Sequence, residues 1–87
     1  MAKQRHTILA IHVTERLKHA VQVQQALSEH GCYIKTRLGL HETSDSFCSP
    51  NGLIILEMLD NDAKVRELQA RLAAIEGIET KRIDFDH

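Results

Sequence analysis

The chain has 87 residues, eleven Lys and Arg against twelve Asp and Glu, a formal net charge of -1, six His, two Cys, one Tyr, two Phe and no Trp. That length suits one domain, residues 1–87, burying only about 60% of its unfolded surface, so the aliphatic core is small and a partner subunit would support it. The near-neutral charge excludes the electrostatic footprint of a protein that binds nucleic acid alone, and two Cys without Cys-x-x-Cys spacing exclude a disulfide framework.

Residues 1–6 are basic, but the apolar run 8–11 that follows is too short for a signal-peptide core or a membrane span. A soluble, cytoplasmic protein with free thiols and no membrane contact is expected. Thr7 to Val13 is rich in β-branched residues, with Leu9, Ile11 and Val13 on one alternating face and Ile8 and Ala10 on the other. Apolar residues on both faces predict a central strand. Thr14 then reads as an N-cap with Glu15 in the first turn. Leu17, Ala20, Val21, Val23 and Leu27 form a stripe, interrupted by Gln24, that predicts a helix over 15–30 ended by Gly31.

Residues 32–38 alternate Cys32, Ile34 and Leu38 with Tyr33, Lys35 and Arg37, the pattern of an edge strand guarded by charge. In this register Cys32 reads as a small buried hydrophobe. The stretch from Gly39 to Gly52 holds Ser44, Asp45, Ser46, Pro50 and Asn51 and reads as a long central loop, whose order without a ligand the residues leave open. Residues 53–59 are apolar except for Glu57 and predict a second central strand. Asp60, Asn61 and Asp62 supply a helix start, and Val65, Leu68, Leu72 and Ile75 recur at helical spacing up to Gly77. Ile78, Ile83 and Phe85 among charged residues predict a last, edge strand over 78–85.

The order βαββαβ is the ferredoxin-like arrangement: an α+β two-layer sandwich of a four-stranded antiparallel sheet with two helices on one face. Its first and third strands are central, and these are the most apolar strands here. Two helices cover one sheet face only, yet both central strands are apolar on both faces. The uncovered face predicts a homo-oligomer, a dimer or tetramer, joined through that face or along a sheet edge.

Two kinds of chemistry suit the central stretch. His41 and Cys48, with Glu42 and Asp45, offer imidazole, thiolate and carboxylate ligands for nickel, zinc or iron. The spacing fits no strong zinc motif, and one chain supplies one Cys and one His locally, so a complete site needs another histidine or a second subunit. Alternatively, Arg37, Gly39, His41 and Asn51 are candidates for a small-effector site at a subunit interface, Arg37 pairing with a carboxylate or phosphate. An edge-strand charge that blocks aggregation is the simpler explanation of Arg37, since edge strands routinely carry such residues. No nucleophile is fixed beside a base, so a non-catalytic protein is expected.

Ile8-Leu-Ala-Ile-His-Val-Thr, Arg37-Leu-Gly-Leu, Leu53-Ile-Ile-Leu-Glu and Ile75-Glu-Gly-Ile-Glu-Thr-Lys resemble the regulators of the iron-only hydrogenase system over nearly the whole chain. The resemblance implies an ACT-like ferredoxin fold, similar to the effector domain of the nickel-responsive repressor, in a protein that oligomerises and senses a small ligand or metal. Cys48 stands ahead of the third strand as the repressor's cysteine does, while the repressor's His-x-His pair is absent. Where ACT amino-acid sites carry a glycine after strand one, this chain has Val13-Thr-Glu-Arg. With no separate DNA-binding segment expected, a transcriptional role would need a protein partner. A plain oligomerisation or protein-interaction module is the third reading.

Overall fold

The computed structural model describes residues 5–14, 16–43 and 48–86, with side chains described throughout these except at 16–20, 40–43 and 48–51. Along the chain run β1 (Arg5–Val13), α1 (Arg16–Glu29), a 3-10 turn (Gly31–Tyr33), β2 (Ile34–Thr43), β3 (Cys48–Met58), α2 (Asp62–Ala73) and β4 (Ile78–Asp86). The strands form one antiparallel sheet in the order β2-β3-β1-β4. The two most apolar strands are therefore central and the two charge-guarded ones are edges, as the sequence predicts.

Alternation along the central strands sends Leu9, Ile11 and Val13 of β1, and Leu56 and Met58 of β3, into one buried layer. Val23, Ala26 and Leu27 of α1 and Val65, Leu68 and Leu72 of α2 close over them. The thin dimension of the molecule, 18 Å, is about what one sheet and one layer of helices fill. Both helices thus share one face of the sheet, the ferredoxin-like α+β arrangement.

α2 starts where its sequence says it should. The Asn61 side chain accepts a hydrogen bond from the Lys64 backbone N–H at 3.2 Å, satisfying a donor that the first turn leaves open. Gly77, with φ of 83°, takes the left-handed conformation that lets the chain turn into β4. The Thr14 N–H donates to its carbonyl at 2.9 Å, joining the ends of β1 and the α2–β4 turn.

Four expectations are corrected. The long central loop is largely a β-hairpin: β2 continues to Thr43 and β3 begins at Cys48, with Thr43 opposite Cys48 and His41 opposite Gly52. Pro50, a poor residue for a central strand, is tolerated because it falls in a register shift of the β2–β3 pairing between His41 and Thr43, beyond Gly52 where the pairing of β3 with β1 ends among the described residues. Cys32 is exposed in the 3-10 turn rather than buried in a strand. Val21 projects from α1 with 79% of its surface exposed. A bulge between Ile34 and Thr36 breaks the alternation of β2, so Ile34 reaches the helix-covered core while Leu38 emerges on the open face.

Candidate functional site: the β2 edge beside α1

The bulge in β2 also decides where Arg37 goes. Arg37 pairs in register with the buried Leu56, which places it on the helix side of the sheet, at its open edge. There its Nη2 donates to Oε1 of Gln24 on α1 at 2.7 Å. Gln24, read in sequence as an interruption of the helix stripe, is the residue that orients this guanidinium.

The partner is uncharged, and that separates Arg37 from the other cations. Arg5 pairs with Asp86, Lys35 with Glu57, Lys64 with Glu67, Arg66 and Arg82 with Asp62, Arg71 with Glu29 and Lys81 with Glu79. Among the described Lys and Arg side chains, only Arg37 lacks a carboxylate partner. It is held in place but not neutralised.

Gly39 is the next residue of β2 on the same side, opposite Ile54. A side chain added there would meet nothing within 4 Å. Gly39 is thus not needed for close packing inside this chain. His41 follows two positions later opposite Gly52, and Asn51 immediately precedes Gly52 on β3. The hairpin therefore gathers the backbones of Arg37, Gly39, His41 and Asn51 on two neighbouring strands.

The metal candidates are gathered only in part. His41 and Glu42 lie on β2 and Cys48 on β3, so pairing of Thr43 with Cys48 brings positions seven apart in sequence close in register. Asp45 lies outside the described residues. The side chains of His41, Glu42 and Cys48 lie outside those described; among the described side chains no cluster of three or more His, Cys, Asp or Glu is arranged to hold a metal ion.

Two further polar groups went unforeseen. On the open face, Glu57 Oε2 lies 3.2 Å from His6 Nδ1 and 3.4 Å from Lys35 Nζ, contacts that hold its carboxyl below the usual glutamate range, His6 contributing most. Beside α2, Arg82 bridges Asp62 Oδ1 at 2.8 Å and Asp84 Oδ2 at 3.0 Å, and the buried Thr7 hydroxyl donates to Asp84. The Arg82 guanidinium is the main cause of the lowered Asp62 pKa. This second group ties α2 to β4 and β1 and is architectural.

No family model matches the chain, and no curated protein matches it. Among solved structures it is similar to the uncharacterized protein TM1266 from Thermotoga maritima, with 27% sequence identity, 97% of this chain and 99% of that one covered, and a TM-score of 0.74. It is also similar to CPII, a nitrogen regulatory PII-like protein from Thiomonas intermedia K12 bound to ADP, AMP and bicarbonate (14% identity, 99% and 96% covered, TM-score 0.63). The ACT domain from GTP pyrophosphokinase of Chlorobium tepidum matches with 14% identity, 90% and 96% covered, and a TM-score of 0.63. The structural neighbours thus include ACT and PII-like regulatory domains, and what the chain shares with them is the ferredoxin-like fold. No described helix is long and apolar enough to cross a membrane.

Proposed function

We propose that this chain is a non-catalytic regulatory domain, acting in the cytoplasm as a homo-oligomer, that binds a small anionic effector at a subunit interface and passes the signal to a protein partner. Regulation of the iron-only hydrogenase system is the role its sequence resemblance supports. The observation that carries the reading is Arg37: a guanidinium positioned by a neutral amide, two residues along β2 from Gly39, where an added Cβ would meet nothing within 4 Å. A planar, permanently charged fork so placed suits a carboxylate, bicarbonate or phosphate oxygen. The small anionic ligands of the similarly folded CPII support the same class of effector.

Calorimetric titration with ADP, AMP and bicarbonate tests it. Binding by the wild-type protein is expected, and Arg37→Ala should weaken it at least about tenfold, the scale of one lost charge-assisted hydrogen bond, without dissolving the oligomer. Equal affinity in the variant would remove Arg37 from the site, and uptake of none of the three would sink the nucleotide and bicarbonate version.

The hairpin register favours one second reading, a transition-metal sensor or carrier. Thr43 opposite Cys48 and His41 opposite Gly52 place an imidazole-bearing and a thiol-bearing residue on adjoining strands, with Glu42 beside them and Asp45 in the connection. Elemental analysis after loading with nickel, zinc or iron should then show stoichiometric metal in the wild type and its loss in Cys48→Ser. The same metal content in both proteins would dismiss the reading.

A further inference from the structure

His30 is a buried titratable side chain that takes no part in the candidate site. It stands just past the end of α1, with 6% of its surface exposed, at the seam with α2. Its backbone N–H bonds to the Leu27 carbonyl at 3.2 Å, which leaves the Ala26 carbonyl, one of the last acceptors of the helix, to the His30 ring. Nδ1 lies 2.9 Å from that oxygen. On the other side of the ring, Nε2 lies 3.4 Å from Glu67 Oε1 on α2.

Both neighbours of the ring are acceptors. A carbonyl oxygen only accepts, and the Glu67 carboxyl is held below the usual glutamate range, chiefly by Lys64, so it is a carboxylate wherever histidine titrates. A neutral imidazole carries one N–H. Whichever nitrogen holds it, the other turns a lone pair toward an oxygen in a buried site, and only the imidazolium, with two N–H groups, meets both.

The surrounding charges favour the same form. Arg71 of α2 forks over both oxygens of Glu29, so that carboxylate is already taken. Lys64 holds Glu67 by Oε2 at 3.3 Å and leaves Oε1 to the imidazole. In the 3-10 turn, the Tyr33 N–H donates to the His30 carbonyl, Lys64 stands over the Tyr33 ring, and Cys32 is exposed. The core layer beneath is apolar. Since the last turn of α1 contains no basic residue, a charged His30 is what meets the negative end of its dipole.

We infer that His30 is a proton-operated latch between the helices: charged, it ties the end of α1 to Glu67 on α2, and neutral, it lets that tie go. Histidine is the side chain that changes charge between about pH 5 and 8. Arg71 with Glu29, which also crosses the seam, keeps its charges over that range, so the proton works on one tie while the other holds the helices together. α1 also carries Gln24, which orients Arg37, so the latch acts on the helix behind the candidate anion site. That consequence rests on the proposed function. The latch itself does not, and its test needs no ligand.

NMR of the full chain at about pH 5.5 and about pH 8 spans the range in which histidine changes charge. Long-range proton–nitrogen spectra are expected to show the His30 ring with two N–H groups at the lower pH and with Nδ1–H alone at the higher. Amide protection over residues 27–30, corrected for the intrinsic pH dependence of exchange, should fall about fivefold between the two, the scale of one charge at a helix end. Glu67→Ala, at an exposed position, should abolish that fall, and so should His30→Gln, which keeps a donor without a charge. Cys32→Ser and His6→Gln should keep it. If His30→Gln fails to fold, the wild-type ring spectra and Glu67→Ala decide. A ring that holds one protonation state at both values overturns the inference, as does one that changes charge while the protection of α1 stays constant. A fall that survives in folded Glu67→Ala, or disappears in Cys32→Ser, overturns it as well. A working latch in a protein whose Arg37→Ala variant binds anions as the wild type does sustains the latch and removes only the effector reading.

Discussion

Glu57 stands in a central strand, where an unpaired carboxylate would be costly. His6 and Lys35 flank it, and they hold its pKa below its ordinary 4.5. Three other carboxylates are held down in the same way: Glu29 by Arg71, Glu67 chiefly by Lys64 with His30 adding, and Asp62 by Arg82. A group whose pKa is lower folded than unfolded binds protons more readily in the unfolded chain. Its stabilisation is complete above the unfolded value and is lost as pH falls through the folded one. The melting temperature should therefore change little from neutral pH down to about 5, then drop as pH falls below about 4.5. Thermal melts across that range check it, and a melting temperature that holds or rises on acidification below about pH 4 would show that these pairs do not stabilise the fold. His30 adds a different kind of satisfaction. Buried at the seam between the helices, its Nδ1 donates to the Ala26 carbonyl at 2.9 Å while Nε2 lies 3.4 Å from Glu67 Oε1.

Among the elements, α2 is the one whose sequence and structure agree most closely. Its stripe of Val65, Leu68 and Leu72 is buried, its cap is Asn61, and Asp62 lies at its positive end and Arg71 at its negative end. Asn61→Ala should cost about 1 kcal/mol, a drop of roughly 4–8 °C in melting temperature for a domain of this size. Urea denaturation measures it, and a loss under about 0.3 kcal/mol would mean that water replaces the cap at no cost. β2 is the contrary case. Its alternation predicts that Ile34 and Leu38 share a face, and one bulged residue puts them on opposite faces. The same bulge turns Arg37 toward Gln24, so the candidate residue is legible in sequence while its partner and direction are not. The hairpin was hidden for a related reason: Gly39, Pro50, Asn51 and Gly52 have turn chemistry, and pairing of Gly39 to His41 with Ile54 to Gly52 and of Thr43 with Cys48 overrides it, with a register shift between.

At the scale of the molecule, the described residues place eleven buried apolar side chains under one helix layer and put no described helix over the other side of the same sheet. The two-faced apolarity of the central strands announces that surface in the order of the residues alone, because residues two apart on a strand must share a face. Element type, element order, the central position of β1 and β3, and the α2 cap were all readable from the residues, since each follows from local periodicity or from a capping side chain and its neighbours. The exposure of Cys32 and Val21, the bulge in β2, the Gln24 hold on Arg37 and the His6–Glu57–Lys35 group depend on which distant segment arrives opposite which. Strand register and helix placement settle such pairings, and no interval along the chain encodes them.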